Sequence, residues 1–130
     1  AEKKLNELIH EIKEEFNLQN AKICLAGFSQ GCMMAINLGL TSQEEFNSII
    51  GFSGKIIDQE DLKNRKKVST NTLLIHGDLD QIVPATFLLE AKDFFIRNNI
   101  EIETHLIKGC DHHIPTQASS IALNYILKNI

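Results

Sequence analysis

The chain has 130 residues, 43% of them apolar and 23% charged, which suits one globular domain, residues 1–130, with a core of its own. Thirteen basic and seventeen acidic residues leave a net charge of -4, and no basic block exceeds Arg65-Lys66-Lys67, so a nucleic-acid partner held by overall positive charge is excluded. The longest apolar run, about Cys32 to Ile36, falls well short of the ~18 residues that a membrane span needs, and no signal peptide is expected ahead of the polar, helical opening.

Residues 2–17 place Leu5, Leu8, Ile9, Ile12 and Phe16 at helical spacing, which predicts an amphipathic helix. Asn17 and Asn20 bracket a turn. Lys22 to Phe28 is a short, nearly continuous apolar run, the pattern of a strand buried on both faces. Residues 30–40 are apolar again but too long for a strand, so a buried helix is expected. Met33 and Met34 belong to that core reading rather than to an acyl pocket. Ser48 to Ser53 reads as the second strand, and residues 54–71 as a loop holding a short exposed helix. Thr72 to His76 is the third strand. Pro84 can start a helix, because its missing N–H would have no partner there anyway. Phe87, Leu88, Ala91, Phe94 and Phe95 mark that helix's buried face, and Asn98-Asn99 ends it. Ile100 to Ile107 alternates enough to be a fourth strand at an edge. Pro115 opens a last helix whose face is Ala118, Ile121, Ala122, Tyr125 and Ile126. Alternating helices and strands predict an α/β fold with about four parallel strands and right-handed crossovers. In such sheets the chemistry gathers at the carboxyl ends of the strands.

Three segments stand at those ends. Gly27-Phe28-Ser29-Gln30-Gly31 is G-x-S-x-G between a strand and a helix, the context that lifts a serine hydroxyl out of a sheet on a sharp, strained turn. Side chains at positions 27 and 31 are expected to collide with the neighbouring strand and helix. The backbone N–H of Gln30, at the helix start, is aimed where an oxyanion would develop. His76-Gly77-Asp78-Leu79-Asp80 offers two carboxylates, Asp78 and Asp80, that could orient a histidine, or else cap the following helix. Gly109-Cys110-Asp111-His112-His113 offers a histidine as general base to Ser29. Serine, aspartate and histidine thus follow successive strands in the chain order used by α/β-hydrolases.

GFSQG, HGDxDxxVP and GxxHxI together resemble the phospholipase/carboxylesterase family of α/β-hydrolases, which includes the acyl-protein thioesterases. The resemblance runs over the whole chain and implies the C-terminal part of that fold, with helices on both faces of the sheet. It implies Ser29 as nucleophile, Asp80 as acid and His112 as base, and hydrolysis of small carboxylic esters or thioesters through an acyl-enzyme, without metal or organic cofactor. Many members carry a further glycine where this chain has Cys32. Members are longer, and a loop upstream of the first helix supplies their second oxyanion donor; no H-G-x-G-type segment stands here. With no strand ahead of it, the edge 22–28 is expected to pair with a second copy in a homodimer.

Other readings are weaker. A catalytically silent part of the fold, serving as an oligomeric or interaction module, is the alternative to an active hydrolase. A metal site from His76, Asp78, Asp80, Asp111, His112 and His113 has suitable ligand types, but His76 ends a strand and packs, and no helical His pair or CxxC is present. Cys110 as a nucleophile lacks a helix start to lower its pKa. No G-x-G-x-x-G supports dinucleotide binding. Phe28, beside Ser29, and Phe52, near the second strand's end, are expected to line a substrate cleft. Cys24, Cys32 and Cys110 are odd in number and lack CxxC spacing, so free thiols in a reducing, cytoplasmic setting are expected.

Overall fold

The computed structural model describes residues 2–18 and 21–130. In chain order the elements are α1 (Glu2–Glu15), β1 (Cys24–Phe28), α2 (Gln30–Thr41), β2 (Ser48–Phe52), α3 (Gln59–Arg65), β3 (Thr72–Gly77), α4 (Thr86–Arg97), β4 (Ile102–Ile107) and α5 (Thr116–Asn129). The four strands form one parallel sheet in the order β1-β2-β3-β4. The register pairs Phe28 with Phe52, Phe52 with Ile75, and Gly77 with Ile107, so the carboxyl ends of all four strands finish side by side.

Strands laid down in sequence order with right-handed crossovers must send their connecting helices to one face. The packing follows this rule. Ile36 and Leu40 of α2, Leu62 of α3 and Phe94 and Phe95 of α4 share one buried cluster with Ile49 and Leu74 of the sheet. The opposite face carries α5, whose Ala118, Ala122 and Tyr125 close over Ile50, Leu73 and Ile75. Helices therefore lie on both faces. β2 and β3 are buried at every position.

Most boundaries match the sequence pattern, and the differences have local causes. The fourth strand begins at Ile102 rather than Ile100 because Ile100 is spent on a helix cap. Asn99 sits at φ 57, its N–H donates to Ile96 O at 3.1 Å, and Ile100 N–H donates to Phe95 O at 2.9 Å, which is a Schellman closure of α4. The same motif ends α1, with Asn17 at φ 56 and Leu18 N–H on Lys13 O at 2.8 Å; Asn20, the other end of the expected turn, lies outside the described residues. Pro84 stands just ahead of α4 instead of inside it, accepting from Phe87 N–H. Phe87 is half-buried, while Leu88, Ala91, Phe94 and Phe95 are buried.

The amphipathic helix forms as expected but packs shallowly, with Leu5 and Ile9 half-buried. No residue of α1 is fully buried, and Leu8, Ile12 and Phe16 stand 50%, 40% and 65% exposed. Polar contacts add to its hold: Lys13 Nζ to Glu44 at 2.7 Å, Ser42 Oγ to Asn6 at 2.9 Å and Arg65 to Glu2 at 3.3 Å. β1 lies at the sheet's edge and is half-buried to exposed along its length, so it is not the strand buried on both faces that its composition suggests. No helix among the described residues is long and apolar enough to cross a membrane.

Candidate active site

Ser29 is the single residue between β1 and α2, and this placement dictates its backbone. To turn from strand to helix in one step it takes φ 57 and ψ -115, a left-handed conformation that is strained for any residue but glycine. Two hydrogen bonds hold it there: Ser29 N–H donates to Phe52 O at 2.8 Å, and Met33 N–H to Ser29 O at 3.2 Å. The turn closes only because position 27 is glycine. A Cβ there would lie 2.1 Å from Gly31 O. The expected collision at position 31 is not found, since a Cβ on Gly31 meets nothing within 4 Å. Gln30 is the first residue of α2, so its N–H has no partner within the helix and is free to bind an anion, while its side chain is exposed.

The loops after β3 and β4 bring the other two residues to Ser29. Its Oγ lies 3.0 Å from His112 Nε2, and His112 Nδ1 lies 2.7 Å from Asp80 Oδ2. Asp80 is buried, with no exposed side-chain surface. Its Oδ1 accepts from Ile82 N–H at 2.9 Å and Val83 N–H at 2.8 Å, leaving Oδ2 for the imidazole. Burial works to raise the pKa of this carboxyl, but the bonds from His112, Val83 and Ile82, with the attraction of the imidazole, hold it below its ordinary value. A carboxylate can only accept, so a proton sits on His112 Nδ1, and Nε2 faces the serine hydroxyl. Asp78, the other candidate acid, instead accepts from Gly109 N–H at 2.7 Å and ties the β3 loop to the β4 loop.

Phe28 is 37% exposed, and its ring lies 4.8 Å from that of His112 at a 39° tilt. A depression of about 440 Å³ opens at His112, lined with it by Leu79, Gln81, Ile82 and Asp111, and Phe28 is not part of its lining. Phe52 does not reach this surface. Side chains alternate along a strand, and positions 50 and 52 of β2 both point into the α5-side core. Cys110 is buried, and that burial, with Asp111 nearby, raises its thiol pKa, the wrong direction for a nucleophile. His113 pairs with Asp111 away from the serine. Among the described residues, no three His, Cys, Asp or Glu side chains converge as metal ligands. The sequence offered His76 only as a packed residue or a metal ligand. Its ring is buried and makes a 2.7 Å bond to Val83 O. The available signal was a titratable side chain closing the apolar run Thr72-Leu73-Leu74-Ile75, where burial demands a partner.

A sheet of parallel strands with a serine on a strand-to-helix turn and a histidine and aspartate on later loops defines an α/β-hydrolase fold. A family model described as Phospholipase/Carboxylesterase matches residues 1–130, and the chain belongs to that family. Acyl-protein thioesterase 1 of Yarrowia lipolytica is 29% identical over 130 residues, covering 92% of this chain and 56% of that protein. Acyl-protein thioesterase 1 of Saccharomyces cerevisiae is 28% identical over 137 residues, covering 97% and 59%. Among solved structures, esterase PE8 superposes with a TM-score of 0.92 at 32% identity, covering 97% of this chain and 59% of that one. The Bacillus cereus carboxylesterase shares the fold, with a TM-score of 0.82 at 16% identity over 99% of this chain and 60% of that one. The chain thus spans 56% and 59% of the lengths of the two thioesterases it matches.

Proposed function

We propose that the chain carries the acyl-transfer machinery of a serine hydrolase acting on carboxylic esters or thioesters. The observation that carries this reading is the continuous chain of bonds from Ser29 Oγ through His112 to Asp80, at 3.0 and 2.7 Å. Ser29 attacks the acyl carbonyl while His112 Nε2 takes its proton, and Asp80 holds the imidazolium. The oxyanion that forms accepts from Gln30 N–H at the start of α2. His112 then returns the proton to the leaving alcohol or thiol, and water, activated by the same histidine, releases the acyl group. Leu79 and Ile82, 59% and 72% exposed beside His112, give the depression an apolar wall, which favours an acyl chain over a charged group. The three cysteines are free, in keeping with work in the reducing cytoplasm.

Intact-mass spectrometry after exposure to a fluorophosphonate tests the reading. One adduct is expected, lost in both Ser29→Ala and His112→Ala. A folded chain that takes no label, or labels equally in Ser29→Ala, would refute it.

A second reading, a silent module that self-associates, is favoured by the open edge of β1 and the exposed Leu8 and Ile12 of α1. It expects a homodimer through the 22–28 edge and no labelling. Sedimentation velocity at micromolar concentration gives a dimer on this reading, broken by Ala26→Lys, and a monomer if it is wrong.

A further inference from the structure

His76 ends the apolar run of β3 and is only 2% exposed, yet the proposed reaction gives it no task. An aliphatic residue would fill that space without the desolvation that a buried imidazole costs. The imidazole does what no aliphatic residue can. Its Nε2 lies 2.7 Å from Val83 O, and a carbonyl only accepts, so Nε2 carries the proton and donates. Val83 is thereby held at both ends of its backbone: its C=O by His76 and its N–H by Asp80 Oδ1 at 2.8 Å. With Ile82 N–H on the same oxygen at 2.9 Å, the turn 80–83 can seat the carboxylate in only one orientation, with Oδ2 presented to His112 Nδ1. Asp80 Oδ2 is 3.5 Å from His76 Nε2, too far for a second bond, so the link runs through Val83.

We propose that His76 is a positioning residue for Asp80, clamping Val83 so that the turn's amides fix one carboxylate oxygen and free the other for His112. The proposal rests on the hydrolase reading only for its kinetic consequence; the geometry of the His112–Asp80 bond can be read without turnover. The deciding variants are His76→Leu, which removes the donor, His76→Asn, whose amide is too short to reach Val83 O, and His76→Gln, whose Nε2 stands the same number of bonds from Cβ as the histidine's.

Two readouts are taken on the full chain. With p-nitrophenyl butyrate, His76→Leu and His76→Asn are expected to lower kcat by about tenfold to a hundredfold with KM changed less than about twofold, the signature of a misplaced catalytic group. His76→Gln is expected to recover most of the loss. In proton NMR, the low-field resonance of the hydrogen-bonded His112 Nδ1–H is expected in the parent and in His76→Gln, and is lost or moved upfield in the other two. A chain that turns over no ester still answers through the NMR arm, which separates failure of the hydrolase reading from failure of this one. If His76→Leu does not fold, the Asn and Gln pair decides. Parent-like kcat and an unchanged low-field signal in folded His76→Asn would overturn the proposal, as would absence of that signal from the parent.

Discussion

Ser29 at φ 57 is strain held in place by its neighbours, and the neighbours explain the least expected residue of the turn. Cys32 takes the place of a further glycine after GFSQG and is almost wholly buried. A Cβ on Gly54 would lie 2.5 Å from Cys32 Sγ, and one on Gly51 would lie 2.4 Å away, so the thiol fills space that two glycines at the end of β2 leave open. Burial pushes that thiol up to about 12, so it packs as a neutral group. Asp80 is the opposite case, a buried group kept charged by its donors. Its pKa is lower in the folded chain, so its bonds stabilise the fold above the unfolded value near 3.8 and cease to do so as the pH falls through the folded value. Urea midpoints of the parent and Asp80→Asn are therefore expected to differ at about pH 5 and to converge in stronger acid. A gap that persists unchanged to about pH 2 would contradict this. At this scale Gly27, Ser29 and the two aspartates were legible as chemistry-bearing residues. The spacing alone left the division of labour between Asp78 and Asp80 open, because both stand in one short loop; the resemblance implied Asp80, and it is Asp80 that His112 meets, while Asp78 holds the β4 loop.

The elements take their ends from capping chemistry. α3 starts because Asp58 accepts from Asp61 N–H at 3.0 Å, and α4 stops because Asn99 tolerates a left-handed backbone. Asn99→Ala, which must adopt the same φ without the tolerance of asparagine, is expected to lower stability by about 1 kcal/mol. Asn99→Gly should match or exceed the parent, since glycine adopts this φ without strain. Both are read from urea unfolding, and an alanine variant as stable as the glycine one would show that the cap does not depend on φ. The strand–helix alternation was visible because parallel strands buried on both faces read as short apolar runs and helices as 3.6-residue stripes. The start of β4 was misplaced by two residues for a reason composition does not carry. Ile100 is apolar and 3% exposed, like a strand residue, but its amide serves the preceding helix.

Over the whole molecule, apolar side chains do not divide neatly into core and surface. Leu8, Phe16 and Leu127 stand 50%, 65% and 65% exposed, while Phe94 and Phe95 are shut between α4 and the sheet. Residues that bury little contribute little to stability, so Leu8→Lys with Phe16→Lys is expected to shift the unfolding free energy by no more than about 0.5 kcal/mol. The matching substitution inside, Phe95→Ala, is expected to cost about 3–5 kcal/mol. Chemical denaturation measures both, and a large loss from the surface pair would mean that α1's stripe is covered in solution.

Apolar periodicity and turn chemistry by themselves determined the α/β class, the order of the elements and the three loops where chemistry gathers, because these are local properties of neighbouring residues. Only the tertiary structure decided that Phe52 faces the α5-side core, that Leu8 and Ile12 of α1 stay exposed, and that Val83 is held between His76 and Asp80. Each of these depends on which element lies against which, and on where one backbone carbonyl points. Those are distances between residues far apart in the chain or relations across a folded turn, and spacing along the sequence does not encode them.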